Sequence, residues 1–192
     1  MIEKKYFTPQ SSRIKEFIRT YLLSFPLFQT KSAGEKVLDL GCGWGFYFKI
    51  NPKANGIDFN PHCVKYLKGL GYKVFEGDIR NRFLFKDNSF KWVIAHDVLE
   101  HFALSEVEKI FSEVKRVLEL NGYFLILIPN KKGYNSGSKL NTGHKHFITI
   151  REILSIAKES FIIRKHFFYP FPKSIGDYFT HNKEVIILKK VK

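Results

Sequence analysis

The chain has 192 residues, 44% of them hydrophobic and 16% aromatic, which is too apolar for a disordered polymer and of a length that suits one domain, 1–192. Lys and Arg total 32 against 18 for Asp and Glu, a formal charge of +14; this fits either a polyanionic partner or a Lys-heavy composition. Two cysteines exclude a disulfide framework or a cysteine metal cage. No run approaches the ~20 apolar residues of a spanning helix, and Met1-Ile2-Glu3-Lys4-Lys5 leads into polar sequence. The expectation is a soluble, cytoplasmic protein without stable membrane insertion.

Helical spacing of Ile14, Phe17, Ile18, Tyr21 and Leu22 predicts a helix over about 10–28, stopping near Pro26. Short strands follow at Lys36–Leu40, Ala54–Asp58 and Tyr72–Glu76, with a helix from Pro61, a residue tolerated at a helix start. Phe90–Ala95 reads as a fourth strand. Over 104–119, Leu104, Val107, Ile110, Phe111, Val114 and Leu118 share one helical face. Asn121-Gly122 should turn the chain into Tyr123–Ile128, a strand apolar enough to be covered on both faces.

Residues 129–148 hold one Pro, three Gly, three Asn, two Ser and four Lys, so they read as a long loop, and loops of that length are usually functional or mobile. A helix over about 150–158, a strand over 162–169, a Pro-Phe-Pro turn and a last strand over 184–189 complete the chain. The alternation predicts an α/β protein with a mostly parallel sheet and helices on both faces. The last two strands, joined without an obvious helix, should pair antiparallel.

The chemical signal is strongest at Val37-Leu38-Asp39-Leu40-Gly41-Cys42-Gly43-Trp44-Gly45. A strand runs into a glycine-rich turn where backbone without Cβ can approach a ligand closely. The spacing is G-x-G-x-G, with Phe46 where a dinucleotide fingerprint has its third glycine, and no P-loop Lys-Ser/Thr follows. Asp39, two positions before the first glycine, would repel a phosphate but suit a cationic amino group.

With Gly56-Ile57-Asp58-Phe59, Glu76-Gly77-Asp78-Ile79, Ala95-His96-Asp97-Val98-Leu99-Glu100-His101-Phe102 and Val117-Leu118-Glu119-Leu120-Asn121-Gly122-Tyr123, the chain resembles class I S-adenosylmethionine-dependent methyltransferases. The likeness is to their small-molecule and quinone type and covers about residues 35–165. It implies a Rossmann-like fold of seven strands, six parallel and the last antiparallel, with S-adenosylmethionine as cofactor. Asp39 and the loop at Gly41, Cys42, Gly43 and Gly45 would hold the methionine end. Asp58 would bind the ribose hydroxyls, Phe59 would flank the adenine, and Asp78 and Ile79 would bind its edge; His96 is counted with these residues. Asp58 lies only 17 positions after Gly41, so the first crossover must be brief, and Asn51-Pro52 supports an early stop.

Methyl transfer from a sulfonium is an in-line displacement for which the enzyme supplies mainly orientation and dehydration. A general base is needed only for an acceptor protonated at neutral pH; His101, His144 and His146 are the candidates, against capping or loop roles for the same rings. Three readings of function stay open. The first is methyl transfer to a small-molecule or acidic acceptor. The second is a metal-assisted RNA 2′-O-methyltransferase, with Asp97, Glu100, His101 and His146 as ligands, as in RNA 3′-end enzymes that the Asp97-x-x-Glu100-His101 pattern resembles. The third is a non-catalytic S-adenosylmethionine-binding domain. Oligomeric state is not specified by the sequence. Charge divides unevenly: residues 36–119 carry 13 cations and 11 anions, a net +2, whereas 120–192 carry 13 and 4, a net +9. Lys131, Lys132, Lys139 and Lys145 share the long loop with Tyr134 and Phe147, a mixture able to contact phosphates and stack a base.

Overall fold

The computed structural model of the chain describes residues 25–131, 134–135, 143–169 and 183–192. The helix expected over 10–28 therefore lies outside the described residues as far as 24. Phe25–Phe28 forms one helical turn, α1, with Pro26 in its first turn, where a missing N–H costs nothing. The Pro-Phe-Pro turn and 132–133 and 136–142 of the long loop also lie outside.

Seven strands form one sheet: β1 Val37–Leu40, β2 Asn55–Asp58, β3 Lys73–Glu76, β4 Phe90–His96, β5 Leu118–Pro129, β6 Phe161–Tyr169 and β7 Lys183–Lys190. Their order is β3-β2-β1-β4-β5-β7-β6. β1, β2, β3, β4 and β5 pair in parallel, while β7 runs antiparallel to both β5 and β6. The sheet is thus six parallel strands with the last strand in sequence reversed, as expected.

Alternating side chains fill both faces. Leu38, Leu40, Val93, Ala95, Phe124 and Ile126 pack with α3 (Leu104–Val117) and α4 (Ile150–Ala157). Their strand neighbours Val37, Ile94, Leu125 and Leu127 pack with Leu27, Phe48 and the Val64 and Leu67 face of α2 (Pro61–Gly69). Because each face is covered, the central strands read as unbroken apolar runs rather than alternating ones. Asn60 caps α2 by accepting from the His62 N–H at 3.0 Å, and Pro61 sits at the helix start without losing a hydrogen bond.

Two local expectations are revised. The first crossover contains no α-helix, only a 3-10 turn at Tyr47–Lys49, which is how 17 residues suffice. Asn121-Gly122 lies within β5 rather than before it. Asn121 takes a left-handed φ of 64°, and a Cβ on Gly122 would stand 2.8 Å from the Glu119 carbonyl oxygen. The pair is an irregularity inside a 12-residue strand, matched by a register shift between Phe90 and Trp92 on β4.

Candidate functional site

The chain leaves β1 and returns as β2 on one side of it, while β4 lies on the other. That reversal opens a crevice at the carboxyl ends of β1 and β4, where open α/β sheets bind ligands. The glycine loop sits there. Gly41, Gly43 and Gly45 have φ of 62°, 50° and 83°. A Cβ would lie 2.4 Å from Val98 Cγ2 at Gly41 and 2.3 Å from Leu67 Cδ2 at Gly45, but would meet nothing within 4 Å at Gly43. Two glycines thus pack the loop down, and the third faces open space.

The loop is fastened to β2. Gly41 N–H and Cys42 N–H donate to the Ile57 carbonyl at 2.8 and 3.2 Å, and Gly43 N–H donates to Asp58 Oδ2 at 2.7 Å. These three donors, expected to serve the methionine end, are engaged within the protein. Cys42 is buried, and burial raises its thiol far above the usual range. Asp58 Oδ1 accepts from Asn60 N–H at 2.9 Å. Each of its oxygens keeps a further lone pair for a ribose hydroxyl.

Asp39 and Asp58 are both buried, 4% and 6% exposed. Burial, followed by the charge of Asp58, pushes the Asp39 carboxyl up to about 8. A cationic group entering beside Asp39 would relieve both effects. Phe59, next to Asp58, is 75% exposed, so its ring is available to flank a planar ligand.

Asp78 is more committed than the sequence implied. Arg80 Nε lies 2.9 Å from each of its oxygens, and this pairing holds its carboxyl below the usual range. Arg80 also reaches Glu106 at 2.9 Å, and Glu106 lies 3.6 Å from Lys145. Ile79 is buried in the core, which fixes the backbone beside Asp78. His96, at the end of β4, packs edge-on against Phe46 with ring centres 5.7 Å apart. Phe46, in the third-glycine position of a dinucleotide fingerprint, thereby ties the loop to β4.

Beyond β4 the chain makes a sharp corner. Asp97 has φ 53°; its Oδ2 accepts from Lys183 at the start of β7, and its Oδ1 is buried without a partner among the described residues. Burial opposes ionisation here, but Lys183 and then His96 more than offset it, so the carboxyl stays low. Leu99–His101 forms a 3-10 turn. Its Glu100 carbonyl accepts from Lys145 N–H at 2.9 Å and His146 N–H at 3.3 Å, which brings the distant loop onto the turn.

Of the four residues considered for a metal, Glu100 and His101 come together, and their third companion is His144 rather than His146. His146 Nε2 lies 2.9 Å from Glu152 Oε1; Glu152 also belongs to the capping box with Thr149 that starts α4. Asp97 is taken by Lys183. Lys183 had no signal in the sequence, since its role comes from pairing with a residue 86 positions away. His101 and His144 rings lie 5.0 Å apart, and burial lowers the His101 imidazole below its usual range. Burial, then Asp97, raises the Glu100 carboxyl to about 8.

Residues 38–126 match the family described as "Methyltransferase domain". Among curated proteins, "Probable tRNA methyltransferase 9B" of Mus musculus is 30% identical over 126 residues, covering 64% of this chain and 27% of that protein. The Homo sapiens protein of the same name is 27% identical over 126 residues, covering 64% and 26%. The chain thus spans about a quarter of the length of these relatives. Among solved structures, a SAM dependent methyltransferase from Archaeoglobus fulgidus has a TM-score of 0.71 at 17% identity, covering 93% of this chain and 100% of that one. A chain from the complex of the Haloferax volcanii Trm112 methyltransferase activator with its methyltransferase scores 0.72 at 14% identity, covering 94% of each. Among the described residues no helix is long and apolar enough to cross a membrane.

Proposed function

We infer that this chain, a class I S-adenosylmethionine-dependent methyltransferase by its domain and fold, transfers the cofactor's methyl group to an acidic acceptor, RNA rather than a free small molecule. The observation that carries methyl transfer is the cradle at the β1/β4 crevice. Gly43 faces open space, Asp39 offers a buried carboxyl to an ammonium group, and Asp58 keeps acceptor capacity toward two hydroxyls. S-adenosylmethionine supplies the electrophilic methyl. The residues here would bind its two polar ends and hold the sulfonium in a crevice shielded from water, where an acceptor can attack in line.

The RNA assignment rests on the relatives named as tRNA methyltransferases and on the net +9 of residues 120–192. Near the cradle, Arg80 and Lys145 contact Glu106, and Lys183 contacts Asp97. A polyanion would therefore compete for cations already paired rather than meet bare ones, so these three add less to its binding than unpaired cations would.

Calorimetry with S-adenosylhomocysteine tests the first half. Asp58→Ala removes the ribose acceptor and the Gly43 anchor and should weaken binding roughly a hundredfold, the worth of about 3 kcal/mol in charge-assisted hydrogen bonds. Unchanged affinity refutes the cradle. Methyl-labelled cofactor offered with tRNA-enriched RNA, and separately with small-molecule extracts, tests the second half. Label in RNA supports the assignment, label confined to small molecules overturns it, and binding without any turnover returns the non-catalytic reading.

A further inference from the structure

Arg80, Lys145 and Lys183 are paired with carboxylates, but the cations on the α2 flank of the crevice are disposed differently. From Gly41 to Tyr72 the chain holds Lys49, Lys53, Lys65 and Lys68 and a single acid, Asp58, a net +3. That exceeds the +2 of the whole of residues 36–119. All four lysines are exposed, whereas Asp58 is buried. Lys53, Lys65 and Lys68 form no ion pair among the described residues. Lysines of this kind can exchange their counterions for a polyanion without first breaking a salt bridge.

Aromatic rings stand on the same flank. Trp44 follows Gly43, the glycine that faces open space, and is 43% exposed. Tyr66, beside Lys65 on α2, is 43% exposed as well. The two rings meet edge to face, with centres 5.6 Å apart, so each braces the other while ring surface stays in solvent. Gly41 and Gly45 pack the loop against Val98 and Leu67, so Trp44 is presented from a fixed backbone. Apolar residues exposed singly need no explanation, but a braced Trp and Tyr among unpaired lysines do. An apolar partner would leave the lysines unanswered, and a duplex keeps its bases stacked on one another. An unpaired nucleotide answers both features, with its base on a ring and its phosphates at the lysines.

We propose that Trp44, Tyr66 and Lys65 form a docking surface for a single-stranded segment of RNA beside the cofactor cradle, with an unpaired base stacked on Trp44 and the adjoining phosphates at Lys65 and Lys68. This rests on the RNA reading of function and adds where the RNA lies: along the glycine loop and α2, away from the paired cations Arg80, Lys145 and Lys183. Every base has a π-face, so the surface grips a strand without reading its sequence.

The test is titration with a short unstructured RNA oligonucleotide, followed by anisotropy of a label on the RNA and by tryptophan emission. The chain has two tryptophans, and the other, Trp92, is stacked on Tyr123 with centres 4.6 Å apart, so a Trp92→Phe background isolates Trp44. RNA should quench Trp44 there, and polyphosphate, which has the charge but no bases, should not. Trp44→Leu should weaken RNA binding at least about fivefold, the low end for one stacked base. Lys65→Gln combined with Lys68→Gln should reduce the slope of log affinity against log salt by about 0.7–1.4, the share of one or two phosphate contacts on a single strand. S-adenosylhomocysteine calorimetry on the same samples shows that each variant is folded. RNA binding that is unaltered in both the Trp44 and the lysine variants overturns the docking surface and leaves the RNA reading standing. Quenching by polyphosphate as strong as by RNA marks a surface for an acidic partner of another kind and overturns it too. A wild type that binds no RNA overturns the surface and the RNA reading together.

Discussion

The two sides of the crevice are built in different ways. On the cofactor side, the parts lie close in sequence and are fixed by backbone: three positive-φ glycines within five residues, and a loop tied to β2 through Ile57 and Asp58. On the acceptor side, the parts come from segments far apart and are fixed by side chains. Lys183 reaches back 86 positions to Asp97, and the Gly143–Phe147 segment leans on a turn more than 40 residues earlier. A backbone-built site is preformed once the sheet forms, whereas a site assembled from distant side chains depends on each contact.

Gly41 is where the two sides touch, through Val98 in the corner after β4. Gly41→Ala should therefore have the largest effect. It combines a left-handed φ, costing about 1–2 kcal/mol for a residue with Cβ, with overpacking against Val98, costing about 1–3 kcal/mol. Chemical denaturation should show a total loss of roughly 2–5 kcal/mol, with loss of S-adenosylhomocysteine binding. Adding Val98→Ala should recover the overpacking part and leave the φ cost. If the double variant is no more stable than the single, the contact between the two sides is not what Gly41 protects.

Lys183→Met probes the acceptor side alone. Its side chain and that of Asp97 are 26% and 40% exposed, so the pair is a partly screened one worth about 1 kcal/mol. Thermal denaturation should register that small loss while S-adenosylhomocysteine affinity stays within about twofold of the wild type. A large drop in cofactor affinity would mean that the two sides are coupled through the Asp97 corner after all.

The same contrast decides what could be read from the sequence. Strands, the α3 face and the glycine loop were legible because their signals are periodic or contiguous; the count of seven strands, six of them parallel, came with the family resemblance, and their order came only from the fold. The brief first crossover was legible from Asn51-Pro52, although it proved shorter than a helix. His144 and His146 were not separable, because two residues along an extended chain carry a ring roughly 6–7 Å, and only the folded turn decides which one meets Glu100. The other ring found Glu152 in the cap of α4. Lys183 was one of 25 lysines until β7 placed it beside Asp97. Asn121-Gly122 looked like a turn because the same residues suit turns and bulges alike.

The smallest expected effect is the most specific to the cofactor side. Asp39 ionises near the ordinary carboxyl range of about 4 in the unfolded chain, but only at about 8 in the ligand-free fold. Folding therefore takes up a proton between those values, and the stability of the ligand-free protein falls as pH rises through that window. A cationic amino group bound beside Asp39 stabilises the ionised form, so binding expels that proton. S-adenosylhomocysteine affinity should then rise between pH 6 and 8, by at most about tenfold per unit. Calorimetry at pH 7 in buffers of different ionisation enthalpy should detect release of most of one proton. Asp39→Asn should bind more weakly and release none. Proton release undiminished in that variant would place the titrating group elsewhere and remove Asp39 from the cradle, leaving the loop and Asp58 to hold the ligand by themselves.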